Sequence, residues 1–433
     1  MNQEITKQIQ ITQDNFLKIK KEVSNLSDFQ KGVKKRLNKN TTEIISFLLG
    51  GAISLLASDL HIESQKEKAR IRIRIDGILH DASEISNQVY EKLISRLKLL
   101  SSVKLNIDDQ PQDGRFSVLI QDSPAEVRTS TLPSEYGEAI VLRILNPQSL
   151  IMGIEQLGIR KDLLPVIEKE IKKPHGMVIV TGPTGSGKTT ALYSFLKKIK
   201  SPKIKIITIE DPIEYHLEGI SQTQVSPKKG YDFASGLKSI VRQDPDVILV
   251  GEIRDLQTAE IAVQAALTGH LVFTTLHTND AAGTIPRLVS LGAKAVNIAP
   301  ALNIAIAQRL IRRVCKKCKV LKNVSSEELN KIKKAFKETP NLKNIPKIDK
   351  NLKIPKAKGC KECNNTGYRG RIGIFEFFIV DEGLEKFILT SPSISALREE
   401  IIKKGMVPMY QDGILKVLQG ISTIEEVERV VID

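Results

Sequence analysis

The sequence lacks tryptophan and contains few other aromatic residues. Its 433 residues include 12 Phe and 7 Tyr but no Trp, so its hydrophobic cores must be built mainly from aliphatic side chains. The first residues are polar and charged, which argues against a secretory signal peptide. The most apolar stretch, residues 44–57, is too short to span a bilayer and predicts a buried helix. We therefore expect a soluble, cytoplasmic protein.

The sequence has fewer acidic than basic residues. The chain has 65 Lys and Arg against 50 Asp and Glu, which gives a formal net charge of +15. Such an excess can indicate nucleic acid or an anionic membrane as a partner. The lysines are spread through the chain, however, and no helix-turn-helix, RNA-binding or zinc-finger pattern accompanies them. We therefore favour a solvated lysine-rich surface over a nucleic-acid groove and expect no sequence-specific nucleic-acid binding.

The hydrophobic pattern divides the chain into blocks. In residues 1–40, apolar side chains recur every three or four positions from Phe16 to Leu37, which predicts an amphipathic helical segment. It could dock on a partner, although packing on its own domain is favoured. Residues 41–148 combine helical stretches with strands of period two, including a hairpin turn at Asp76-Gly77. They predict a small α+β domain.

A different pattern follows the break at Asn146-Pro147 and a linker at 149–156. Over residues 157–433, apolar strands alternate with helices, and this alternation predicts an α/β domain with a mainly parallel sheet. The predicted strands are 177–181, 204–209, 247–250 and 271–275. A ligand site is expected at the carboxyl ends of these strands.

The most specific motif is a phosphate-binding loop between a strand and a helix. It matches G-x-x-x-x-G-K-[ST], and its backbone N–H groups and the following helix N-terminus would hold the phosphates of ATP. Lys188 is expected to reach the β- and γ-phosphates, and the Thr189 hydroxyl to bind Mg²⁺. A chance glycine-rich turn would not explain the strand, loop, lysine, threonine and helix in this order. The predicted nucleotide-binding residues are Gly182, Pro183, Thr184, Gly185, Ser186, Gly187, Lys188, Thr189 and Thr190.

Acidic residues follow two of the predicted strands. Glu210 directly follows the strand 204–209, and Glu252 follows the strand 247–250 after one glycine. Acids at strand ends beside a nucleotide can orient water or hold Mg²⁺. Either glutamate could polarise the attacking water while the other assists Mg²⁺ binding, and Glu252 is the predicted magnesium ligand alongside Thr189. A plain surface acid is the alternative for each alone.

Two histidines flank the last predicted strand. His277, just past the strand end, could hydrogen-bond the γ-phosphate, whereas a structural role suits His270 at least as well. Three arginines could stabilise phosphate charge, although an ordinary surface position is the alternative for any one of them. These arginines are Arg128, Arg143 and Arg242.

All four cysteines fall in two pairs. The pairs Cys315-x-x-Cys318 and Cys360-x-x-Cys363 have the spacing of a tetrahedral zinc site. Disulfides are not expected in a chain without a secretion signal, and a redox pair would need a surrounding βαβ pattern. With four protein ligands, the zinc would be structural. Between the pairs, residues 325–328 provide a capping box for a short helix.

Together these stretches resemble the secretion ATPase superfamily, specifically the type II secretion and type IV pilus assembly ATPases. The resemblance covers about residues 41–433. It rests on the segments 58–63, 72–77, 182–190, 208–214, 242–255, 268–280 and 359–371. The last of these is similar to the zinc segment of the assembly branch, which retraction ATPases of the pilus generally lack.

The resemblance implies a PAS-like N2 domain over 41–148, joined flexibly to a RecA-like P-loop ATPase domain over 157–433. The latter would include a four-cysteine zinc subdomain at 312–372. It also implies a homohexameric ring with ATP between the two domains and arginines contributed by neighbouring subunits. Arg128 and Arg143 fall where the family places phosphate-contacting arginines, and Arg242 matches a further one. Lys238 stands where relatives often have Arg.

The implied function is a cytoplasmic motor, peripherally recruited to the inner membrane, that hydrolyses ATP to assemble a pseudopilus or a pilus. Its partners would be an inner-membrane platform protein and a cytoplasmic docking protein. Family members usually carry a full amino-terminal docking domain, where this sequence has about forty residues. A hexameric nucleic-acid translocase or DNA-uptake motor is the rival function. A non-hydrolysing scaffold is disfavoured because the expected catalytic residues are all retained.

Overall fold

The computed structural model describes residues 7–120, 123–145, 152–337, 342 and 345–432, which form two compact units. The first unit contains the described residues before 146 together with Cys315–Cys318 and Lys358–Arg369. The second contains the other described residues. The predicted break at Asn146-Pro147 and the start of the predicted linker lie outside the described residues. The domain limits therefore remain predictions.

The first unit is a seven-stranded sheet with helices on one face. Its elements are β1 Gln8–Ile11, α1 Gln13–Glu22, α2 Leu26–Arg36, α3 Thr41–Ser54, β2 Asp59–Ser64, β3 Lys68–Ile75, β4 Ile78–Ser86, α4 Asn87–Leu100, β5 Gln112–Ile120, β6 Ser123–Ser134 and β7 Gly137–Leu145. The strand order is β1-β5-β6-β7-β2-β3-β4. All pairs are antiparallel except β1 with β5.

Period-two patterning decides which face of this sheet is buried. On β3, Ala69, Ile71 and Ile73 are fully buried, whereas the arginines between them lie on the opposite, partly exposed face. The predicted turn at Asp76-Gly77 joins β3 to β4 with both residues at positive φ, 50° and 83°, as a two-residue hairpin requires. The apolar stretch 44–57 forms most of α3, which is buried on nearly all sides.

The amino-terminal segment packs on its own domain. The structure breaks the predicted helical stretch into α1 and α2, because Asn25 caps a new helix by accepting a hydrogen bond from Asp28 N at 3.0 Å. Phe29 is completely buried and stacks on Phe47, with ring centroids 5.8 Å apart. The pattern gave no sign of β1, whose parallel pairing with β5 extends the sheet.

The second unit is an α/β domain. Its elements are α5 Leu164–Glu170, β8 Gly176–Thr181, α6 Lys188–Ile199, β9 Ile206–Glu210, β10 Ser221–Gln224, α7 Phe233–Val241, β11 Val247–Val250, α8 Leu256–Leu267, β12 Leu271–Leu276, α9 Thr284–Ser290, α10 Ala295–Ala301, β13 Leu302–Val314, β14 Val320–Asn323, α11 Ser326–Lys337, β15 Lys353–Lys356, β16 Tyr368–Ile379, α12 Glu382–Leu389, α13 Ile394–Lys403, α14 Met409–Leu418 and α15 Ile424–Val431. The main sheet has the order β10-β9-β11-β12-β8-β13-β16.

Parallel pairing runs through this sheet from β10 to β13. Its central strands are buried on both faces, which explains why they are continuous apolar runs rather than alternating ones. All four predicted strands are present, and the predicted mixed α/β class is confirmed. The register pairs Val250 with Ile209 and Leu276 with Thr181, so that the carboxyl ends of β9, β11, β12 and β8 meet at one edge.

The four-cysteine segment is divided between the two units. Cys315–Cys318 and Lys358–Arg369 group with the first unit, and the assignment of 312–372 to the ATPase domain stays a prediction. Within that unit, Leu26 N donates a hydrogen bond to Asn364 Oδ1 at 2.5 Å. The intervening β14, α11 and β15 belong to the second unit, where α11 starts at the predicted capping box: Glu328 N donates to Ser325 Oγ at 3.2 Å, and Ser325 N to Glu328 Oε2 at 2.8 Å.

The structure also bears on the membrane question raised by the sequence. Within the described ranges, none of the helices is both long enough and apolar enough to cross a bilayer.

Candidate nucleotide and metal sites

The phosphate-binding loop lies between β8 and α6, as predicted. Its glycines Gly182, Gly185 and Gly187 have φ values of 147°, 79° and 89°, which side chains rarely tolerate. Space matters as well as conformation at the first of them: a Cβ on Gly182 would lie 2.4 Å from Gln308 O on β13. Only glycine lets the loop pass this close to the neighbouring strand. The loop then opens into the N-terminus of α6, where backbone N–H groups are free to bind anions.

Lys188 lies at the mouth of the loop. Its Nζ donates to Gly182 O at 2.8 Å and to Pro183 O at 3.2 Å. Burial lowers the pKa of Lys188, and the nearby charge of Glu252 opposes that shift. The Lys188 ammonium is therefore bound to the loop backbone, and the negative charge of Glu252 acts on it.

Glu252 forms a compact charged cluster at the same sheet edge. Its Oε2 lies 3.3 Å from His277 Nε2, and its other oxygen contacts the guanidinium of Arg254. The Glu252 side chain is only 13% exposed, whereas His277 is 51% exposed. The structure thus brings together two of the predicted catalytic residues and adds Arg254, which the sequence analysis did not single out although it stands in the same motif.

Threonines fix the position of His277. Thr275 Oγ1 donates to Gly251 O at 2.7 Å, and Thr278 N donates to Thr181 Oγ1 at 2.9 Å. These contacts tie the residues on both sides of His277 to the ends of β11 and β8. His270, at the other end of β12, bonds Ala265 O through Nδ1 at 3.0 Å, which agrees with a structural role.

Glu210 has quite different surroundings. It is 3% exposed, and its carboxylate accepts hydrogen bonds from Tyr193, from Thr208 Oγ1 at 2.5 Å and from Gln222 Nε2 at 3.2 Å. Burial and the charge of Glu210 raise the pKa of Tyr193, so this tyrosine stays a hydrogen-bond donor. Because Tyr193 belongs to α6, the carboxylate joins β9 to the helix that follows the phosphate-binding loop.

The first unit carries two of the three predicted arginines on neighbouring strands. Arg128 and Arg143 are directly opposite each other on β6 and β7, and Arg143 is opposite Asp59 on β2. Arg143 Nε lies 3.2 Å from Asp59 Oδ1, and the arginine side chain is 58% exposed. Arg128 Nε lies 3.4 Å from Glu126 Oε1. The pair therefore forms part of one polar row on the open face of the sheet.

Arg242 belongs to the second unit. It caps the carboxyl end of α7, is exposed, and its Nη2 donates to Ser239 Oγ at 3.3 Å. Lys238 is exposed on the same helix. Within the described residues, Arg242 has no hydrogen bond or ion pair with Lys188, Glu252 or His277.

Gln308 is a residue near the loop that sequence reasoning missed. It is 2% exposed, and a Cβ on Gly187 would lie 2.9 Å from its Nε2. Its position beneath the loop follows from the pairing of β13 with β8, which joins residues far apart in sequence. No local pattern could have indicated it.

The four cysteines converge on one point, as predicted. Their sulfur atoms all lie within 4.8 Å of one another, with Cys315 Sγ 3.9 Å from Cys360 Sγ and Cys318 Sγ 3.7 Å from Cys363 Sγ. In a tetrahedral site with Zn–S bonds of about 2.3 Å, the sulfurs would be roughly 3.8 Å apart. Cys360 N and Gly367 N also donate hydrogen bonds to Cys363 Sγ, at 3.1 Å and 3.3 Å. The donor set therefore fits zinc.

The sequence profile of the family described as "Type II/IV secretion system protein" matches residues 36–429. Among curated proteins, "Type II secretion system protein E" of Aeromonas hydrophila is 42% identical over 387 residues, covering 89% of this chain and 75% of that protein. "Type II secretion system ATPase E" of Vibrio cholerae is 41% identical, with coverages of 90% and 75%. "Type IV pilus assembly ATPase PilB" of Pseudomonas aeruginosa is 42% identical, with coverages of 90% and 67%.

Solved structures show the same architecture. The Legionella pneumophila ATPase DotB matches with a TM-score of 0.65 at 22% identity, covering 90% of this chain and 96% of that one. The pilus retraction motor PilT with bound ADP matches with a TM-score of 0.58 at 26% identity, with coverages of 88% and 95%.

Proposed function

Because the chain belongs to the type II/IV secretion system protein family, whose relatives named above include ATPases of secretion and pilus machines, we propose that it is a motor of such a machine. It hydrolyses ATP, and as a cytoplasmic homohexamer at the inner membrane it powers the assembly of a type II secretion pseudopilus or a type IV pilus. The observation that carries the proposal is a phosphate-binding loop with Lys188 at its mouth, at the same sheet edge where Glu252 lies 3.3 Å from His277. The relatives do not favour the nucleic-acid translocase.

In this site, Lys188 leaves the loop carbonyls and binds the β- and γ-phosphates of ATP. Water attacks the γ-phosphorus as the bond to the β,γ-bridging oxygen breaks, and the proton that the water loses passes to Glu252. His277, held beside Glu252, donates a hydrogen bond to the γ-phosphate. Glu210 supports α6 from within the core.

Two metals complete the proposal. The Thr189 hydroxyl and the Glu252 carboxylate would hold Mg²⁺, an oxygen-preferring ion whose charge offsets that of the phosphates. Cys315, Cys318, Cys360 and Cys363 would hold a structural zinc ion. The phosphate-contacting roles of Arg128, Arg143 and Arg242 are part of the same proposal and belong to the assembled ring.

The test compares ATP hydrolysis by the full chain with that of Lys188→Ala. We expect the variant to lose activity by at least about 100-fold while keeping the zinc content and far-UV spectrum of the wild type. Lys197→Ala is the matched control, because Lys197 is an exposed lysine on the same helix. Full activity of Lys188→Ala would overturn the mechanism.

The choice of machine is tested in the source cell. Deleting the gene should abolish pili or the export of secreted proteins, and reintroducing Lys188→Ala should not restore either. A platform protein of the inner membrane should be recovered with the wild-type chain after crosslinking. DNA-stimulated ATP hydrolysis that falls steeply with salt would instead support the translocase.

A further inference from the structure

The loop that carries His277 is fastened to the carboxy-terminal part of the chain. It runs from the end of β12 to the start of α9 and contains Asp280, three residues after the histidine. Asp280 Oδ2 accepts a hydrogen bond from Arg398 Nη1 at 2.9 Å. Arg398 lies on α13, 118 residues further along the chain. An ion pair thus joins the histidine loop to a helix that the proposed chemistry does not use.

A second contact holds the histidine loop next to this ion pair, and the two contacts are called the clasps below. Glu376 on β16 is 2% exposed and accepts hydrogen bonds from Ala281 N at 2.8 Å and from Met409 N at 2.9 Å. Burial raises the pKa of Glu376, while these two backbone donors oppose that shift. The same carboxylate therefore ties the histidine loop to the first residue of α14.

Internal hydrogen bonds make the loop a rigid link between these clasps and His277. Asp280 Oδ1 accepts from Gly283 N at 2.7 Å, and Thr278 Oγ1 donates to Asp280 O at 2.8 Å. A displacement of Asp280 would therefore be passed through Thr278 to the neighbouring His277. Because threonines fix the other side of the histidine, the loop is held at both ends.

A cleft of about 320 Å³ borders the clasps and leaves room for such a displacement. Its lining includes Asn279, Asp280, Arg309, Glu376 and Arg398. The Arg398 side chain is 38% exposed and Asp280 is 28% exposed, so the ion pair is accessible from this cleft. A pair of this kind can open without unfolding the core around it.

We propose that Arg398 and Glu376 are positioning residues for ATP hydrolysis, which they serve by holding residues 277–283 so that His277 stays beside Glu252. The inference rests on the proposed function. It assigns a part in hydrolysis to α13, through Arg398, and to β16, through Glu376.

The test measures kcat, KM and nucleotide affinity for Arg398→Ala. A misplaced histidine should lower kcat by about 10- to 100-fold, whereas KM and the affinity for a non-hydrolysable ATP analogue should stay within about twofold. Arg398→Lys should recover most of kcat, because lysine can still donate to Asp280. Lys403→Ala, which removes an exposed positive charge from the same helix, is the control and should behave as wild type.

A double-mutant cycle decides whether the effect passes through His277. In a His277→Ala background, Arg398→Ala should cost little further activity, because the group that it positions is already missing. An equal loss in both backgrounds, or wild-type kcat for Arg398→Ala, would overturn the inference. If the wild-type chain and Lys403→Ala themselves fail to hydrolyse ATP, the proposed function fails instead, so the two failures are distinguishable.

Discussion

Glu210 and Glu252 have similar sequence contexts and dissimilar surroundings. Both follow short apolar strands at one sheet edge, and from the sequence either could activate water. In the structure, three donors surround the buried Glu210 carboxylate, whereas Glu252 shares its surroundings with Lys188 and His277. A carboxylate that must take a proton from water has to be reached by that water. Glu252, 13% exposed beside the half-exposed His277, meets that condition better than the buried Glu210.

This difference gives a prediction at the residue scale. Glu252→Gln should lower kcat by about 100-fold or more while ATP still binds, because an amide cannot accept the proton. Glu210→Gln should act mainly on stability, since its amide would place a donor against the Tyr193 and Thr208 hydroxyls. The measurements are single-turnover hydrolysis and thermal unfolding of both variants. Glu260→Gln, an exposed glutamate on α8, is the control.

The opposite pattern would reverse the assignment. If Glu210→Gln abolishes hydrolysis at wild-type stability while Glu252→Gln remains active, Glu210 is the residue that activates water.

At the scale of elements, the spacing of the cysteines predicted the metal site but not the elements that pack around it. The spacing of the two pairs predicted the convergence of the sulfurs, because four thiolates at that spacing suit one metal ion. It did not predict that these residues pack with the first unit, where Asn364 accepts a hydrogen bond from Leu26 N. The start of α2 therefore depends on a residue that lies 338 positions further along the chain.

Zinc removal should consequently loosen a small set of elements. We expect one zinc per chain in the purified protein, and its loss in Cys318→Ser or on chelation should speed hydrogen exchange in 315–318, in 358–369 and at the start of α2. Exchange in β8, β11 and β12 should not change. Lys361→Ala, an exposed residue in the same segment, should keep the metal. A pure protein without stoichiometric zinc contradicts the prediction.

Elements with a strong period could be predicted from the sequence, and contacts between distant elements could not. The four central strands, α3, the Asp76-Gly77 turn and the phosphate-binding loop all follow from patterns within a few residues. The short strand β1 is polar on one side and depends on β5 for its pairing, so its own sequence did not distinguish it. Gln308, Glu376 and Arg398 reach the site only through sheet order and helix packing, which no local pattern specifies.

At the scale of the whole molecule, the open face of the first sheet carries a row of charged side chains that the central chemistry does not use. Arg115, Arg128, Arg143, Asp59 and Arg74 lie opposite one another across five strands. The Asp59 carboxylate lies between Arg143 and Arg74, at 3.2 Å and 3.3 Å. Even with Glu126 beside Arg128, two carboxylates face four guanidinium groups, so the row has a surplus of positive charge that suits an anionic partner such as a phosphate.

In the proposed ring, we expect Arg143 to serve a nucleotide together with residues of a neighbouring subunit. Arg143→Ala and Lys188→Ala should each be nearly inactive, yet a mixture of the two should regain part of the activity once subunits exchange. Arg96→Ala, an exposed arginine on α4, should keep full activity alone. Mixtures that remain as inactive as their components would show that Arg143 does not act across subunits.

The contact between Tyr193 and Glu210 also gives this protein a built-in optical reporter. In most proteins tryptophan takes up the excitation energy of tyrosine, but this chain has no Trp and only 7 Tyr, so tyrosine emission is directly visible. A phenol that is hydrogen-bonded to a carboxylate loses its proton in the excited state and emits weakly. Tyr193 should therefore contribute little fluorescence while it is hydrogen-bonded to Glu210. Because Tyr193 lies on the helix that begins at the phosphate-binding loop, nucleotide binding that shifts α6 should appear as a rise in ultraviolet emission, without any attached dye.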